Sequence, residues 1–143
     1  MNTEVITTRT AKISQIAEEI LRVEVLESSD VKEEDALENY LACKKMARGR
    51  KVAILIDSRT QTTASNEARA FSSGAEVSKL VIARAILIDS LAVKLLGNFY
   101  ILVNKPHSPT RLFKEEKEAM VWLEESIQNS NRYHSSFNTF APK

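Results

Sequence analysis

Apolar and polar positions alternate near the start of the chain, run together twice in its middle, and recur at helical spacing between and after those runs. Val5 to Ser14 is rich in Thr, Val and Ile, and Leu21-Arg22-Val23-Glu24-Val25 alternates apolar with charged, as a strand wet on one face does. The two stretches predict an antiparallel hairpin. Its connection, Gln15 to Glu19, contains no Gly, Asn or Pro to define a turn. Asp30, with Glu33 three residues on, offers an N-cap for a helix. Ala36, Leu37, Tyr40, Leu41, Cys43 and Ala47 then fall at helical spacing, and Gly49 is placed to end the element.

The two apolar runs carry the same phrase. Ala53 to Ser58 and Ala85 to Ser90 both read Ala-Ile-Leu-Ile-Asp-Ser, an apolar β-rich run closed by a carboxylate and a hydroxyl. With a helix-length segment between them, they predict adjacent or near-adjacent parallel strands over Val52 to Ile56 and Val81 to Ile88. Their Asp-Ser ends then share one sheet edge, where open α/β folds keep ligand sites. Between them, Arg59 to Ser65 is a polar loop and a helix begins near Ser65 or Asn66, with Ala68, Phe71 and Ala75 inward. Gly74 weakens that helix by roughly 1 kcal/mol relative to alanine, so a bend or early end is expected there.

Leu91 to Val103 is apolar nearly all round, and Ser90 is positioned to cap it as a helix that the sheet, a second subunit or a ligand must cover. Pro106 and Pro109 stop it. Arg111 to Phe113 follows as a short edge strand, and a last helix from about Glu115 presents Ala119, Met120, Trp122, Leu123 and Ile127. After Gln128 the composition turns to Asn, Ser and His with isolated Tyr133, Phe137 and Phe140. The reading is one domain over 1–128 and a polar, mobile C-terminal tail over 129–143.

A length of 143 residues suits one domain. A formal charge of +1 gives no overall field toward nucleic acid or an anionic membrane, and no nucleic-acid partner is expected. Lys44, Lys45, Arg48, Arg50 and Lys51 are the one basic cluster, without interleaved aromatics for base stacking. No run reaches the ~18 apolar residues of a spanning helix, and Met1 to Lys12 lacks a secretory core, so a cytoplasmic protein without stable membrane insertion is expected. One cysteine, Cys43, excludes an intrachain disulfide; it reads as packing. No metal-ligand spacing, Gly-rich phosphate loop or nucleotide fingerprint occurs, and no metal or cofactor is expected.

Several separated words, Leu55-Ile56-Asp57-Ser58-Arg59, Glu67-Ala68-Arg69, Gly97-Asn98-Phe99-Tyr100, Asn104-Lys105-Pro106 and Pro109-Thr110-Arg111-Leu112-Phe113, together resemble the bacterial SpoIIAA-like proteins, relatives of the STAS and CRAL-TRIO folds. The resemblance runs from Val5 to Ile127 and implies an α/β fold: a mixed β-sheet with an N-terminal antiparallel hairpin and helices packed mainly on one side. The glycine-containing hairpin turn common in such proteins is replaced here by Ala17-Glu18-Glu19. In STAS proteins that bind anti-sigma kinases, a serine at the corresponding loop is phosphorylated. The resemblance thus implies a partner or phosphate loop at Asp57, Ser58, Arg59, Thr60 and Ser65. In CRAL-TRIO proteins an apolar helix covers a lipid cavity. The resemblance implies an apolar-ligand surface at Leu95, Leu96, Phe99, Leu102 and Val103, residues that the apolar pattern alone reads as plain core or a homodimer surface.

Catalysis is the least favoured reading. His107 lies between prolines and His134 in the tail, neither spaced as a base for Ser58 or Ser90. Asp57 and Asp89 would make a carboxylate pair if their strands were neighbours, since equivalent strand ends are about 4.8 Å apart, though capping of the following helices explains both more cheaply. The expected function is non-catalytic: a regulatory module working through an unidentified protein partner, or alternatively a carrier of a small apolar molecule.

Overall fold

The computed structural model describes residues 3–60 and 62–140, excepting the side chains of Leu96, Phe99 and residues 133–140. Its six-stranded sheet runs in the order β1, β2, β3, β5, β7, β8. These are β1 (Val5–Thr7), β2 (Ala11–Ala17), β3 (Ile20–Val25), β5 (Val52–Asp57), β7 (Val81–Leu87) and β8 (Thr110–Phe113). The first three pair antiparallel, and β3, β5, β7 and β8 pair parallel. A separate two-stranded ribbon joins β4 (Asp30–Val31) to β6 (Thr63–Ala64). The helices are α1 (Glu33–Ala47), α2 (Asn66–Ser73), α3 (Ala75–Ser78), α4 (Leu91–Asn104) and α5 (Glu116–Phe140).

Strand alternation assigns the layers. Ile13, Leu21, Val23 and Ile54 point to α1, closing a core with Tyr40, Cys43 and Met46. Ala53, Leu55, Ala85 and Leu87 point the other way and pack on Ala119 and Leu123 of α5. The first four helices lie on one face and α5 alone on the other, so the helices are mainly on one side, as expected.

Local chemistry corrects several sequence readings. The Val5 to Ser14 stretch is two strands, because Thr8 turns the chain: its amide donates to the Ala11 carbonyl at 2.8 Å, and its hydroxyl accepts from the Ala11 amide at 3.1 Å. Strand β2 then runs through Gln15 to Ala17, and a register shift after Gln15 leaves Glu18-Glu19 as a two-residue turn that needs no glycine. Lys32, not Asp30, is the N-cap of α1, since Asp30 is taken up in β4. Asp35 instead reaches back and accepts from the Lys32 amide at 2.9 Å. Leu37 and Leu41 are exposed on α1, and Ala75 is exposed where Val77 is buried. Gly74 does end α2. The helical backbone of α5 continues through residues 129–140. The side chains of Tyr133, Phe137 and Phe140 lie outside the described set.

The repeated phrase forms adjacent parallel strands, as its composition predicts, but the copies are out of step. Leu55 faces Ala85 and Asp57 faces Leu87, an offset of two residues.

Candidate functional site

Alternation at the end of β5 sends Asp57 and Ser58 to opposite faces of the sheet. On the α5 side, Asp57 accepts from Arg59 Nε at 3.0 Å and Nη2 at 2.8 Å, and from Arg22 Nη2. Arg22 also donates to Glu116 at 2.7 Å. The Arg59 hydrogen bonds, offset in part by burial and helped by Arg22, hold the Asp57 carboxyl below its ordinary range. Asp89, two residues beyond the position facing Asp57, is exposed. Its neighbour Ser90 caps α4, accepting from the Val93 amide at 3.1 Å.

The polar loop after β5 is tied down along its length. Thr60 donates to the Val25 carbonyl at 3.2 Å. The Thr63 and Ser65 amides donate to Ser29 and Val31 carbonyls at 3.0 and 2.9 Å. Ser65 caps α2 through the Ala68 amide at 3.1 Å. Of the hydroxyls proposed from sequence, Ser58 faces a cavity, with Thr62 Oγ1 at 3.5 Å.

That cavity is a cleft of about 330 Å³ between the sheet, α2 and α4. Its floor is Ile56, Ile86, Ile88 and Leu112; α2 supplies Ala68, Arg69 and Ser72, and α4 supplies Val93, Gly97, Tyr100 and Ile101. Gly97 lets α4 approach β8: a Cβ there would stand 2.8 Å from Leu112 Cδ1. The apolar residues proposed from sequence lie elsewhere. Leu95, Leu102 and Val103 are 64%, 70% and 59% exposed on the outer side of α4, because the helix turns its Val93, Gly97, Tyr100 and Ile101 face inward. Leu96 and Phe99 stand on the same helix, with side chains outside the described set. None of the described side chains of α4 is buried.

Two arginines in this cleft were not singled out from sequence. Arg84 is buried within β7, where Nη1 donates to the Ser72 carbonyl at 2.7 Å and Nη2 reaches Thr110 Oγ1 at 3.4 Å. Arg69 donates to the Ala64 carbonyl and lies over the Tyr100 ring, 4.3 Å from its centroid. The Nε atoms of both are buried without a hydrogen-bond partner, and among the described residues neither guanidinium has an ion pair. Burial pushes Arg84 down to about 10. The signal was present in the sequence: Arg84 is the one charge inside Val81–Leu87.

Away from the cleft, Cys43 is buried, and burial raises its thiol to about 12, leaving it unreactive. The basic residues near the end of α1 are exposed. Among the described residues no three His, Cys, Asp or Glu side chains converge to hold a metal, and no helix is long and apolar enough to cross a membrane.

Order of strands, hairpin and helices define a SpoIIAA-like α/β fold. An uncharacterised protein of the DUF3478 family from Shewanella loihica PV-4, whose crystal structure is described as SpoIIAA-like, superposes with a TM-score of 0.58. It is 16% identical, and the match covers 79% of this chain and 91% of that one, a likeness of fold alone. The family model of a domain of unknown function, DUF7793, matches residues 14–127, and the chain belongs to that family. No curated protein matches the sequence.

Proposed function

We propose that this chain is a non-catalytic binding module of the bacterial cytoplasm that holds a small, largely apolar molecule in the cleft beneath α4. One observation carries the reading: an apolar cleft at the carboxyl ends of parallel strands is roofed by a helix with no described side chain buried. A helix that is part of the permanent core ordinarily buries a stripe. A non-catalytic role is supported by Asp57, whose carboxylate is occupied by two arginines and stands out of step with Asp89.

A regulatory module acting through a protein partner or a homodimer is the second reading. The outer stripe of α4 favours it: Leu91, Leu95 and Leu102 recur on one side of the helix and are exposed.

Native mass spectrometry of freshly purified protein separates the readings. A small-molecule adduct, lost on collisional activation, is the expected result, and ligand addition should raise the melting temperature. A ligand-free dimer that apolar ligands do not stabilise would overturn the carrier reading in favour of the second.

A further inference from the structure

The cleft is apolar in its floor, yet two guanidinium groups line it. Arg84 is more than nine-tenths buried, and each of its two hydrogen bonds goes to a neutral oxygen. A buried cation facing only neutral oxygens has given up hydration without gaining a counter-charge. Arg69, on the neighbouring wall, repeats the pattern: its Nη1 bonds a carbonyl, its Cζ lies over the Tyr100 ring, and its Nε has no partner among the described residues. Contrast this with Arg22 and Arg59, which share Asp57 and Glu116 on the opposite face. One face of the sheet neutralises its pair of arginines with carboxylates, and the other, among the described residues, leaves its pair without one.

Resting on the cleft being a ligand site, we infer that the ligand is an amphipathic oxyanion, a small apolar body ending in a carboxylate or phosphate that Arg84 anchors and Arg69 assists. The Nε–H and the adjacent Nη2–H of a guanidinium lie parallel, a fork that matches two oxygens of one oxyanion. In Arg84 the Nε is free and Nη2 has only the long contact to Thr110, so this edge is the one left over. The apolar body fits the floor formed by Ile56, Ile86 and Leu112. Arg84 and Ile56 also border a second cavity of about 190 Å³ beneath α1, so the head is held where two apolar spaces meet. Both Nε atoms are buried, so a ligand head reaches them only if the side chains around the cleft move aside.

Calorimetric titration of the full chain with decanoate, decyl phosphate and decanol at neutral pH and below micelle formation tests this. Wild type should bind one of the two anions about tenfold or more tighter than decanol, the gain of a charge-assisted hydrogen bond. The tighter of the two identifies the head. Arg84→Met should bring the anion down to the affinity of decanol while leaving decanol binding unchanged, and Arg84→Lys should keep part of the preference. Arg84→Gln serves if the methionine variant fails to fold by circular dichroism. Equal binding of anions and decanol by wild type would overturn the oxyanion anchor and leave the apolar carrier standing. Equal loss of all three ligands in the Arg84 variants would reduce Arg84 to a structural residue and overturn the anchor likewise. No binding of any of the three would overturn the carrier reading itself.

Discussion

Helices α4 and α5 cover opposite faces of the same strands, and they do so in different ways. Helix α5 seats Ala119 and Leu123 completely in the core, against Leu55, Ala85 and Leu87. Helix α4 is the more apolar of the two by sequence, yet it turns Leu91, Leu95 and Leu102 outward and leaves a cleft beneath its other side. Apolar content therefore does not measure burial. The charges divide the same way. Beneath α5 the arginines meet carboxylates, whereas beneath α4 they meet carbonyls, a hydroxyl and an aromatic ring.

This contrast is broken most directly by truncation on each helix. Leu123→Ala should cost about 3 kcal/mol in urea denaturation, as removal of a fully buried leucine does. Leu95→Ala and Leu102→Ala should stay within about 0.5 kcal/mol, and a loss near that of Leu123 would show α4 to be ordinary core. Between these extremes lie the charges. Asp57→Asn should destabilise by roughly 1–2 kcal/mol by weakening two guanidinium contacts. Arg84→Met should leave the ligand-free protein unchanged or more stable, by up to roughly 2 kcal/mol, since it removes an uncompensated buried charge. A large loss for Arg84→Met would mean that its bonds to Ser72 and Thr110 outweigh its desolvation.

Acid titration sharpens the same division. Asp57 and Asp35 both have folded pKa values below the unfolded carboxylate value of 3.8, Asp35 at about 2 through its Arg9 hydrogen bonds. A depressed carboxylate stabilises fully above its unfolded pKa and loses that contribution as pH falls through the folded one. Stability should therefore decline from about pH 4 toward pH 2, and Asp35→Asn should flatten part of that decline. The smallest effect is expected from amide exchange without any substitution. Amides of α4 should exchange faster than those of residues 116–127, and ligand should slow the α4 amides selectively.

Much of the architecture was legible in residue patterns. The continuous apolar runs marked β5 and β7, Ser65 and Ser90 marked two helix starts, and Gly74 marked a break. Register was not legible, because identical phrases contain no mark of relative offset; pairing of Leu55 with Ala85 depends on how α2 and α3 span the crossover. The polar loop read as free for a partner is instead anchored by backbone bonds to Ser29 and Val31, residues about thirty positions away in a segment too short to register as a strand. The cleft escaped because a helix with apolar residues all round gives no sign of which face turns inward; Gly97, the one residue small enough to meet Leu112, was the available clue.

The cleft is also assembled from distant parts of the chain. Ile56, Arg69, Arg84, Tyr100 and Leu112 meet there only after β5, β7 and β8 have paired and α2 and α4 have docked. Closing such long connections is the slow part of folding a parallel sheet. A molecule that fits the cleft has nothing to bind in a partly folded chain, so its whole binding free energy goes to the finished state, about 2.7 kcal/mol at a hundredfold excess over Kd. Any ligand of this cleft would then act on the chain as a stabiliser of its completed fold and not as a guide to its folding.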